Sequence, residues 1–477
     1  MATVTWRGTA AKITEKYTET IGGTWADGSD TWTGTINGND LVVTFGTGAA
    51  DATTDIATAI VAAWNGATLP ANVTVNVVGG GAAIPEFNEI TASVSGSVVT
   101  FAHDTPGATF TMTSAKSSTS GTISLSNTVN ATGPNDWANA DNWVGGSVPT
   151  GGDDVIIDEP VSILYGLDQN AVTLASLTIG PRFTSAASIG LPDINANGYA
   201  EYRDKSLRIS ATALNINTGS GRVRINLGSV QTAAVVTATG TTLTPGLGAV
   251  QLLGTNASNT LRVDGGDVSV AAKPGEVSTI ATLTQSGGTL VCGDGVTLTN
   301  VTKTAGTTTI ASSTTTLDSR SGTTYLTGGT HGTLTVGDGT CAASGATTIT
   351  ALKQASGSTT IGPACTLTAA DKASGTLTSQ VGVGTLVSDA GTTTIAAGNI
   401  TSATIDGGTL VYGGTGTITA LSWANCTLDF NAGTSAACTI TTLNAPVGNC
   451  TFKDAADRVT ITNGFPTPVG TTTIRVA

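Results

Sequence analysis

The chain has 477 residues, of which only 11% are charged and 4% are aromatic, while 62 are glycine. Typical globular domains carry roughly 25% charged residues, so this composition excludes a helical enzyme rich in Glu, Lys and Leu. A disordered acidic chain is excluded as well, because 39% of the residues are hydrophobic. The net charge of −13 argues against nucleic acid or an anionic membrane as the main partner, since both bind clustered Lys and Arg.

Residues 1–34 are predicted to form a β-rich N-terminal attachment segment, which is unusually aromatic because it holds Trp6, Tyr17, Trp25 and Trp32. The first residues contain no apolar stretch of the kind that an export signal needs, so we expect no such signal. No run of 18 apolar residues occurs anywhere, and we expect no membrane insertion. A β-rich chain of low charge without an export signal is consistent with assembly in a cytoplasm and release by lysis.

Residues 35–133 are predicted to form a small α/β module. Its expected elements are a hairpin over 34–45, a helix over 52–65, strands over 89–94 and 98–101, and a strand over 109–113. The Asn-Gly pair at 37–38 is typical of a tight hairpin turn. Apolar residues recur at every fourth position of the helix segment, and Asp51 or Thr53 can cap its N-terminus.

Residues 134–477 are predicted to form a right-handed β-solenoid, or β-helix, without further helices. A small residue or Asp, then Gly, then Thr and an apolar residue recur about every 17 residues, with glycines at Gly287, Gly306, Gly322, Gly339, Gly357, Gly375, Gly391 and Gly407. This period is too short for leucine-rich or ankyrin repeats. It suits about twenty coils, each made of three short strands and three turns. We expect stacked Thr ladders between coils and glycine at positive-φ corners.

The six cysteines all lie in the second half of the chain, and none forms a C-x-x-C pair, so neither a zinc ribbon nor a redox motif is supported. The last three, Cys426, Cys438 and Cys450, are spaced by twelve residues, and each precedes Thr and a large apolar residue. We therefore expect stacked, buried, free thiols, because a free Cys behaves as a small hydrophobic residue.

The sequence contains few candidates for catalysis. The two histidines, His103 and His331, are expected to be surface or turn residues, and His103 with Asp104 lacks the other members of a triad. The paired carboxylates, Asp153-Asp154 and Asp264 with Asp267, are expected to occupy coil corners, because the His and basic partners of a polygalacturonase-like site do not accompany them.

Metal and anion sites are also weakly supported. Asp294 and Asp338 lie in Gly-Asp-Gly turns, but two isolated carboxylates do not supply the six oxygen ligands that calcium takes. A basic cluster is formed by Arg203, Lys205, Arg208, Arg222 and Arg224. We expect a solvated strand face with acidic neighbours there, with a subunit or glycan contact as the alternative. No catalytic, cofactor-binding or metal-binding residue is predicted.

Two stretches resemble phage-associated structural proteins. Residues 34–113, with Ile36-Asn37-Gly38 and the segment Pro85-Glu86-Phe87-Asn88-Glu89, resemble a small module of phage and phage-like structural proteins. Residues 135–224, with Asn135-Asp136-Trp137 and Gly198-Tyr199-Ala200-Glu201-Tyr202-Arg203, resemble uncharacterised β-solenoid proteins of planctomycete-type bacteria and their phages. The resemblance covers about 40% of the chain. It implies a virion protein and assigns no catalytic residue.

We therefore expect a structural protein of a bacteriophage virion: a fibre, spike or decoration protein with N-terminal attachment and a projecting β-solenoid, assembled in the host cytoplasm. The alternative is a bacterial surface adhesin or extracellular appendage subunit, and a depolymerase enzyme is the third reading. We expect a homo-oligomer, with a trimer as first choice, because four of the seven tryptophans lie before residue 134 and exposed aromatics are typical of interfaces. Other virion or surface-assembly proteins are further expected partners, with a cell-surface glycan as an alternative.

Overall fold

The computed structural model describes residues 2–26, 28–49, 52–78, 85–184, 186–217, 219, 221–237, 249–431, 436–467 and 473–476, the last four as backbone. The chain is mainly β, with 52% strand and 4% helix. It divides into two compact units. The first unit comprises Met1–Val172 and Arg182–Arg208, and the second comprises Thr173–Pro181 and Ile209–Ala477.

The helices are α1 (Thr53–Trp64) and two short 3-10 helices (Phe87–Glu89 and Ala140–Asn142). The strands up to residue 216 are β1 (Thr3–Thr5), β2 (Lys16–Gly23), β3 (Thr31–Ile36), β4 (Asn39–Phe45), β5 (Val73–Val78), β6 (Ile90–Ser95), β7 (Val98–His103), β8 (Thr113–Lys116), β9 (Gly121–Val129), β10 (Asp154–Ile157), β11 (Asp168–Ile179), β12 (Ser188–Ile189) and β13 (Leu207–Ile216).

The later strands are β14 (Arg222–Asn226), β15 (Ala233–Val236), β16 (Val250–Leu253), β17 (Thr260–Val263), β18 (Asp267–Val270), β19 (Ser278–Gln285), β20 (Thr289–Cys292), β21 (Val296–Lys303), β22 (Thr307–Ile310), β23 (Thr314–Ser319), β24 (Thr323–Leu326), β25 (Thr330–Val336), β26 (Thr340–Ala343), β27 (Thr348–Gln354), β28 (Ser358–Ile361), β29 (Thr366–Lys372), β30 (Thr376–Ser379), β31 (Val383–Ser388), β32 (Thr392–Ile395), β33 (Ile400–Ile405), β34 (Gly408–Tyr412), β35 (Thr417–Trp423), β36 (Cys426–Asp429), β37 (Cys438–Leu443), β38 (Asn449–Lys453), β39 (Val459–Ile461) and β40 (Thr473–Val476).

The first unit contains two four-stranded antiparallel sheets, with strand orders β6-β7-β2-β9 and β5-β4-β3-β8. Helix α1 packs against strands of both sheets, and its buried residues Ile56, Ile60 and Trp64 enter their common apolar core. Strand β1 pairs in parallel with β10. The three strands that begin in the predicted segment 1–34 therefore join three different sheets rather than forming a sheet of their own.

Two of the local predictions in this unit are confirmed. The hairpin β3–β4 turns at Asn37 and Gly38, whose φ angles of 54° and 75° are those of the Asn-Gly turn that the sequence indicates. The helix lies at Thr53–Trp64, within the predicted 52–65. Its N-terminal residue Ala52 donates its amide to the Asp55 carboxylate at 3.1 Å, and Asp51 lies outside the described residues.

The strand predicted over 109–113 is wrong, because β8 begins only at Thr113. The amide of Phe110 donates to the Glu15 carboxylate at 2.7 Å instead of a neighbouring strand. The prediction of exposed aromatic residues is also wrong. All seven tryptophans are at most 6% exposed, namely Trp6, Trp25, Trp32, Trp64, Trp137, Trp143 and Trp423.

The second unit is a β-solenoid, and the fold has about 16 turns of about 18 residues. From β14 onward, each strand up to β38 pairs in parallel with the strand two places later, so a coil contributes two strands and not the three predicted. The longer strand of each coil is bent. In β23, Thr314 and Leu317 are both buried although they lie three residues apart, and the register omits Thr315. The third strand predicted for each coil is therefore the second half of this bent strand.

Glycine with positive φ forms the predicted corner in five of these coils, whereas the predicted corner Gly339 does not have a positive φ. Gly306, Gly322, Gly357, Gly375 and Gly391 all have φ between 69° and 85°. A Cβ at any of these positions would lie 2.2–2.5 Å from the carbonyl oxygen of the corner glycine one coil earlier. The first and last corners fall at Gly288 and Gly408, one residue after the predicted glycines.

The predicted threonine ladder follows directly after these corners. Cross-coil partners in register are Thr289, Thr307, Thr323, Thr340, Ser358, Thr376, Thr392, Thr409, Thr427 and Thr451. None of these side chains is buried. The amide of Thr307 donates to the Gly288 carbonyl at 2.9 Å, and the later coils repeat this bond. The threonine ladder therefore lies at the residue whose amide forms the first hydrogen bond to the preceding coil after the corner.

We predict that Gly375→Ala destabilises the protein more than Gly275→Ala. Both glycines have positive φ, 79° and 81°, so both changes introduce about 1–2 kcal/mol of left-handed backbone strain. Only at Gly375 would the new Cβ meet a backbone atom, the Gly357 oxygen at 2.3 Å, whereas nothing lies within 4 Å at Gly275. Urea unfolding measures both changes, and equal losses would contradict the role of the stacked corner.

Candidate functional site

The carboxylate of Glu89 is the centre of a polar cluster in the first unit. Glu89 ends a 3-10 helix and precedes β6, which pairs with β7 so that Ile90 lies opposite His103. The Tyr199 hydroxyl donates to Glu89 at 2.8 Å and the Asn197 amide donates at 2.6 Å. His103 Nε2 lies 3.6 Å from the same carboxylate, which is beyond a hydrogen bond. One carboxylate thus joins two stretches of chain more than 90 residues apart.

Arg203 forms the second part of this cluster. Its guanidinium donates to both oxygens of Glu201 at 2.8 Å, and its third nitrogen donates to the Thr109 carbonyl at 2.9 Å. The guanidinium also lies 5.3 Å from the centre of the Tyr202 ring. Both side chains of the ion pair are at most 10% exposed. Such bidentate, charge-assisted bonds combine strength with a fixed orientation.

The pKa directions agree with this geometry. Burial raises the pKa of Glu89, but the nearby His103 and the hydrogen bonds from Tyr199 and Asn197 outweigh it, so the pKa lies below its usual value. Burial likewise opposes the charge of Arg203, yet the Glu201 carboxylate raises the pKa of this guanidinium overall. Burial and the bond to Glu89 raise the pKa of Tyr199. The Arg203–Glu201 pair is therefore charged and the Tyr199 phenol is neutral at pH 7.

His103 and Asp104 are bonded to different partners and not to each other. His103 Nδ1 accepts the Thr105 amide at 3.0 Å, and the predicted partner Asp104 instead accepts the Thr91 hydroxyl at 2.6 Å. A cavity of about 310 Å³ adjoins Arg203, lined by Tyr165, Tyr202 and backbone-rich segments. Among the described residues, no serine or cysteine nucleophile is bonded to His103. The expectation that His103 is a surface or turn residue is wrong, because it is 5% exposed.

The basic cluster seen in the sequence is not a single solvated face. Within the first unit, Arg203 is buried with Glu201, Lys205 lies 3.8 Å from Asp193, and Arg208 contacts Asp168 at 2.5 Å. Arg222 and Arg224 belong to the second unit, where Arg224 is 4% exposed. The prediction of acidic neighbours is confirmed for Arg203, Lys205 and Arg208, and the prediction of solvation is wrong for Arg203 and Arg224.

The candidate carboxylates remain separate. Asp153 accepts the Thr150 amide and the Ala2 amide, which lower its pKa. Asp264 bonds the Arg262 guanidinium at 2.9 Å, and this bond lowers the pKa of Asp264. Asp154 and Asp267 are the first residues of strands β10 and β18. Across the described ranges, no three His, Cys, Asp or Glu side chains, those of Asp294 and Asp338 included, are arranged to hold a metal ion.

His331 lies inside the solenoid, so its predicted surface position is wrong. It is fully buried in β25, where Nδ1 contacts the Thr314 hydroxyl at 2.9 Å and Nε2 contacts the Gly328 carbonyl at 3.1 Å. Burial lowers the pKa of His331, although the Gly328 carbonyl opposes the shift. The histidine is therefore a neutral core residue.

A ladder of polar side chains occupies one inward position of the solenoid. Its members in register are Gln285, Lys303, Ser319, Val336, Gln354, Lys372 and Ser388. The polar members are at most 1% exposed. The order Gln, Lys, Ser, apolar thus occurs and then begins again 69 residues later, so that Gln285 corresponds to Gln354. We refer to these residues as the inner polar ladder.

The two copies of the inner polar ladder make the same bonds. The Lys303 ammonium donates to the Ser321 carbonyl at 2.5 Å, and Lys372 donates to the corresponding carbonyl of Ala390. Ser319 bonds Thr324 at 2.8 Å, as Ser388 bonds Thr393 at 3.2 Å. In each copy, side chains of the inner polar ladder form hydrogen bonds with backbone carbonyls or hydroxyl groups near the glycine corners.

Both glutamines extend this pattern. Gln285 donates to the Gly288 carbonyl and Gln354 to the Gly357 carbonyl, each at 3.1 Å. The Oε1 atom of Gln285 accepts the Thr308 hydroxyl. The residue that corresponds to Thr308 in the second copy is Leu377, and Gln354 Oε1 has no partner among the described residues. The second copy is therefore less completely satisfied than the first.

A third buried cation lies further along the solenoid. The Arg458 guanidinium is 4% exposed and donates to the carbonyls of Ala436, Phe430 and Gly414 at 2.5–3.2 Å. Like the two lysines, it bonds backbone oxygens and not a carboxylate. Buried cations in this unit thus replace the amide donors that turning backbone does not supply.

The cysteines are free and buried, as predicted. The predicted stacking is correct for two of the last three. Cys426 on β36 neighbours Cys450 on β38, because Thr427 pairs with Thr451. Cys438 lies on β37 and pairs with Val459. The spacing of twelve therefore alternates between two stacks of strands. Cys450 follows Cys426 by 24 residues, so this coil is longer than the average of about 18 residues.

Comparison with known proteins adds no assignment. No protein-family model and no curated protein matches this sequence. Among the residues that the structure describes, no helix has the length and apolar character needed to cross a bilayer. The functional argument therefore depends on the fold and on the two polar arrangements described above.

We predict that Glu89→Gln lowers the free energy of unfolding by about 1–3 kcal/mol at pH 7, because the Tyr199 and Asn197 bonds lose a charged acceptor. The folded-state pKa of Glu89 is lowered, so its stabilisation is complete above pH 4.5 and is lost as the pH falls through the folded value. The difference from wild type should accordingly shrink in acid.

Glu159→Gln is the matched control for this change, because Glu159 makes an exposed ion pair with Arg182 and such pairs contribute little. Denaturant unfolding between pH 3 and pH 7 measures both variants. If the loss of unfolding free energy in Glu89→Gln did not depend on pH, the ionic role of this carboxylate would be contradicted.

A second prediction concerns the two buried lysines. Burial lowers the pKa of both Lys303 and Lys372. Between the lowered folded-state pKa values and the unfolded value of 10.5, the unfolded chain binds more protons than the folded chain. The free energy of unfolding of the wild type should therefore rise with pH relative to that of a variant that carries both Lys303→Met and Lys372→Met. Lys353→Met, at an exposed position of β27, is the control for losing a lysine. The same pH slope in wild type and double variant would contradict the prediction.

Proposed function

We propose that the chain is a non-enzymatic structural protein of a bacteriophage virion: a fibre, spike or decoration protein. The observation that carries this proposal is the continuous register of the solenoid, in which corner glycines, threonines and inner polar side chains each bond the next coil. Such nearest-neighbour stacking is typical of repeat architectures that serve as extended scaffolds. The resemblance of residues 34–113 and 135–224 to phage-associated proteins supports the virion assignment.

The side chains whose types are common in active sites support a non-enzymatic role here. Glu89, Arg203 and His331 are each bonded to protein groups that hold separate segments together. Burial raises the pKa of Cys292 and Cys341 to about 12, which disfavours the thiolate that a cysteine nucleophile requires. Each of these groups therefore has a structural use.

The handedness of the solenoid and the nature of the N-terminal module are part of the same proposal. We infer right-handed winding because parallel crossover connections are right-handed in about 98% of cases. The stretch from 35 to 133 supplies the helix α1 and most strands of the two antiparallel sheets, which supports a small α/β attachment module. Homo-oligomerisation, with a trimer as first choice, stays a proposal. The tryptophans do not support an oligomer interface, because they are buried in the chain's own core.

The proposal predicts where the protein is found. Mass spectrometry of density-purified phage particles should detect it in a fixed copy number relative to other virion proteins. An antibody against the folded protein should also bind intact particles. Recovery only from the envelope of uninfected cells would reject the virion role and favour the alternative, a bacterial surface adhesin.

A further inference from the structure

Two of the buried thiols are neighbours on adjacent strands. Cys426 precedes Thr427 on β36, and Cys450 precedes Thr451 on β38, and these threonines are paired in parallel register. The preceding residues are joined as well, because Asn449 donates its amide to the Asn425 side chain at 3.1 Å. Both cysteines therefore occupy the same inward position of successive coils, and both are at most 4% exposed.

This arrangement satisfies the spacing of a disulfide. Neighbouring strands lie about 4.8 Å apart, within the Cα separation of about 4.4–6.8 Å that disulfides span. The two thiols also influence each other in the reduced state, since burial and then the nearby Cys450 raise the pKa of Cys426 to about 12. The other four cysteines have no cysteine at the same position of the next coil: Cys341 pairs with Thr359 and Cys438 with Val459.

We propose that Cys426 and Cys450 form a redox modification site, at which a peroxide converts the two thiols into a disulfide between successive coils. One sulfur attacks hydrogen peroxide, gains an oxygen as sulfenic acid, and one water leaves. The second sulfur then attacks the sulfenic sulfur, the S–S bond forms, and a second water leaves. Two thiols are oxidised by two electrons, and one peroxide is reduced to two waters.

An exposed corner gives the oxidant its route. The Cys450 sulfur lies 3.3 Å from the Val447 carbonyl, and the Val447 side chain is 64% exposed. The turn at this corner includes Gly448 at φ 72°, and the equivalent corner before Cys426 includes Asn425 at φ 44°. Local opening of this corner would bring the oxidant to the Cys450 sulfur, beside which Cys426 lies. The reaction is therefore slow and limited by opening.

The experiment treats the full-length protein with hydrogen peroxide and then titrates thiols after denaturation. We expect the count to fall from six to four, with complete recovery after reduction, since a disulfide is reversible and higher oxidation states are not. Peptide mapping without reduction should find the cross-link between the peptides of Cys426 and Cys450. The thermal midpoint should rise, because the bond constrains the unfolded chain.

Variants separate this pair from the other thiols. Cys426→Ser and Cys450→Ser should each abolish the reversible loss of two thiols, whereas Cys438→Ser should leave it unchanged. The peptide map of wild type decides the question even when a variant folds poorly. A cross-link that contains Cys438, sulfinic acid at one cysteine without a cross-link, or six unreacted thiols after prolonged treatment would each overturn the proposal. The proposal stands independently of the virion role.

Discussion

The second unit depends on one constraint: every coil must place its backbone donors and acceptors opposite those of the next coil. Parallel strands in register place these groups opposite each other along their straight segments. At the corners the backbone turns, and the pairing there needs a further feature of the sequence. Gly306, Gly322 and Gly375 meet the constraint sterically, because a Cβ at each would collide with the carbonyl oxygen of the coil before. The amide after each corner then resumes the ladder, as Thr307 does on Gly288.

The inner polar ladder meets the same constraint from inside. A solenoid interior built only of Leu and Ile would leave corner carbonyls without donors, and unpaired buried polar groups are costly. Gln285, Lys303 and Arg458 supply those donors. They also distinguish one coil from another, because Leu and Ile pack equally well at any level, whereas a buried lysine needs carbonyl oxygens at its own level. Shape and hydrogen bonding thus act together to select a single register.

The sequence predicted what is periodic or local, namely the coil repeat, the Asn37-Gly38 turn and helix α1. It did not predict what depends on bending or distant contact. The bent strand conceals a change of face between Thr314 and Leu317, which placed His331 wrongly at the surface. The Glu89 cluster joins residues more than 100 positions apart through single side chains, and no spacing rule reports such a contact. The 69-residue recurrence of Gln, Lys and Ser was visible in the sequence, but its meaning needed the knowledge that these positions face inward.

Gln285 and Gln354, Lys303 and Lys372, and Ser319 and Ser388 lie at equivalent levels, so these polar side chains repeat with a block of four coils. A duplication or deletion of one such block would return each of these polar side chains to an equivalent neighbour on both sides of the junction. A change of a few residues would instead rotate all following positions away from their partners. Selection on such a chain therefore acts on length in discrete steps, and related chains should differ by integral numbers of coils.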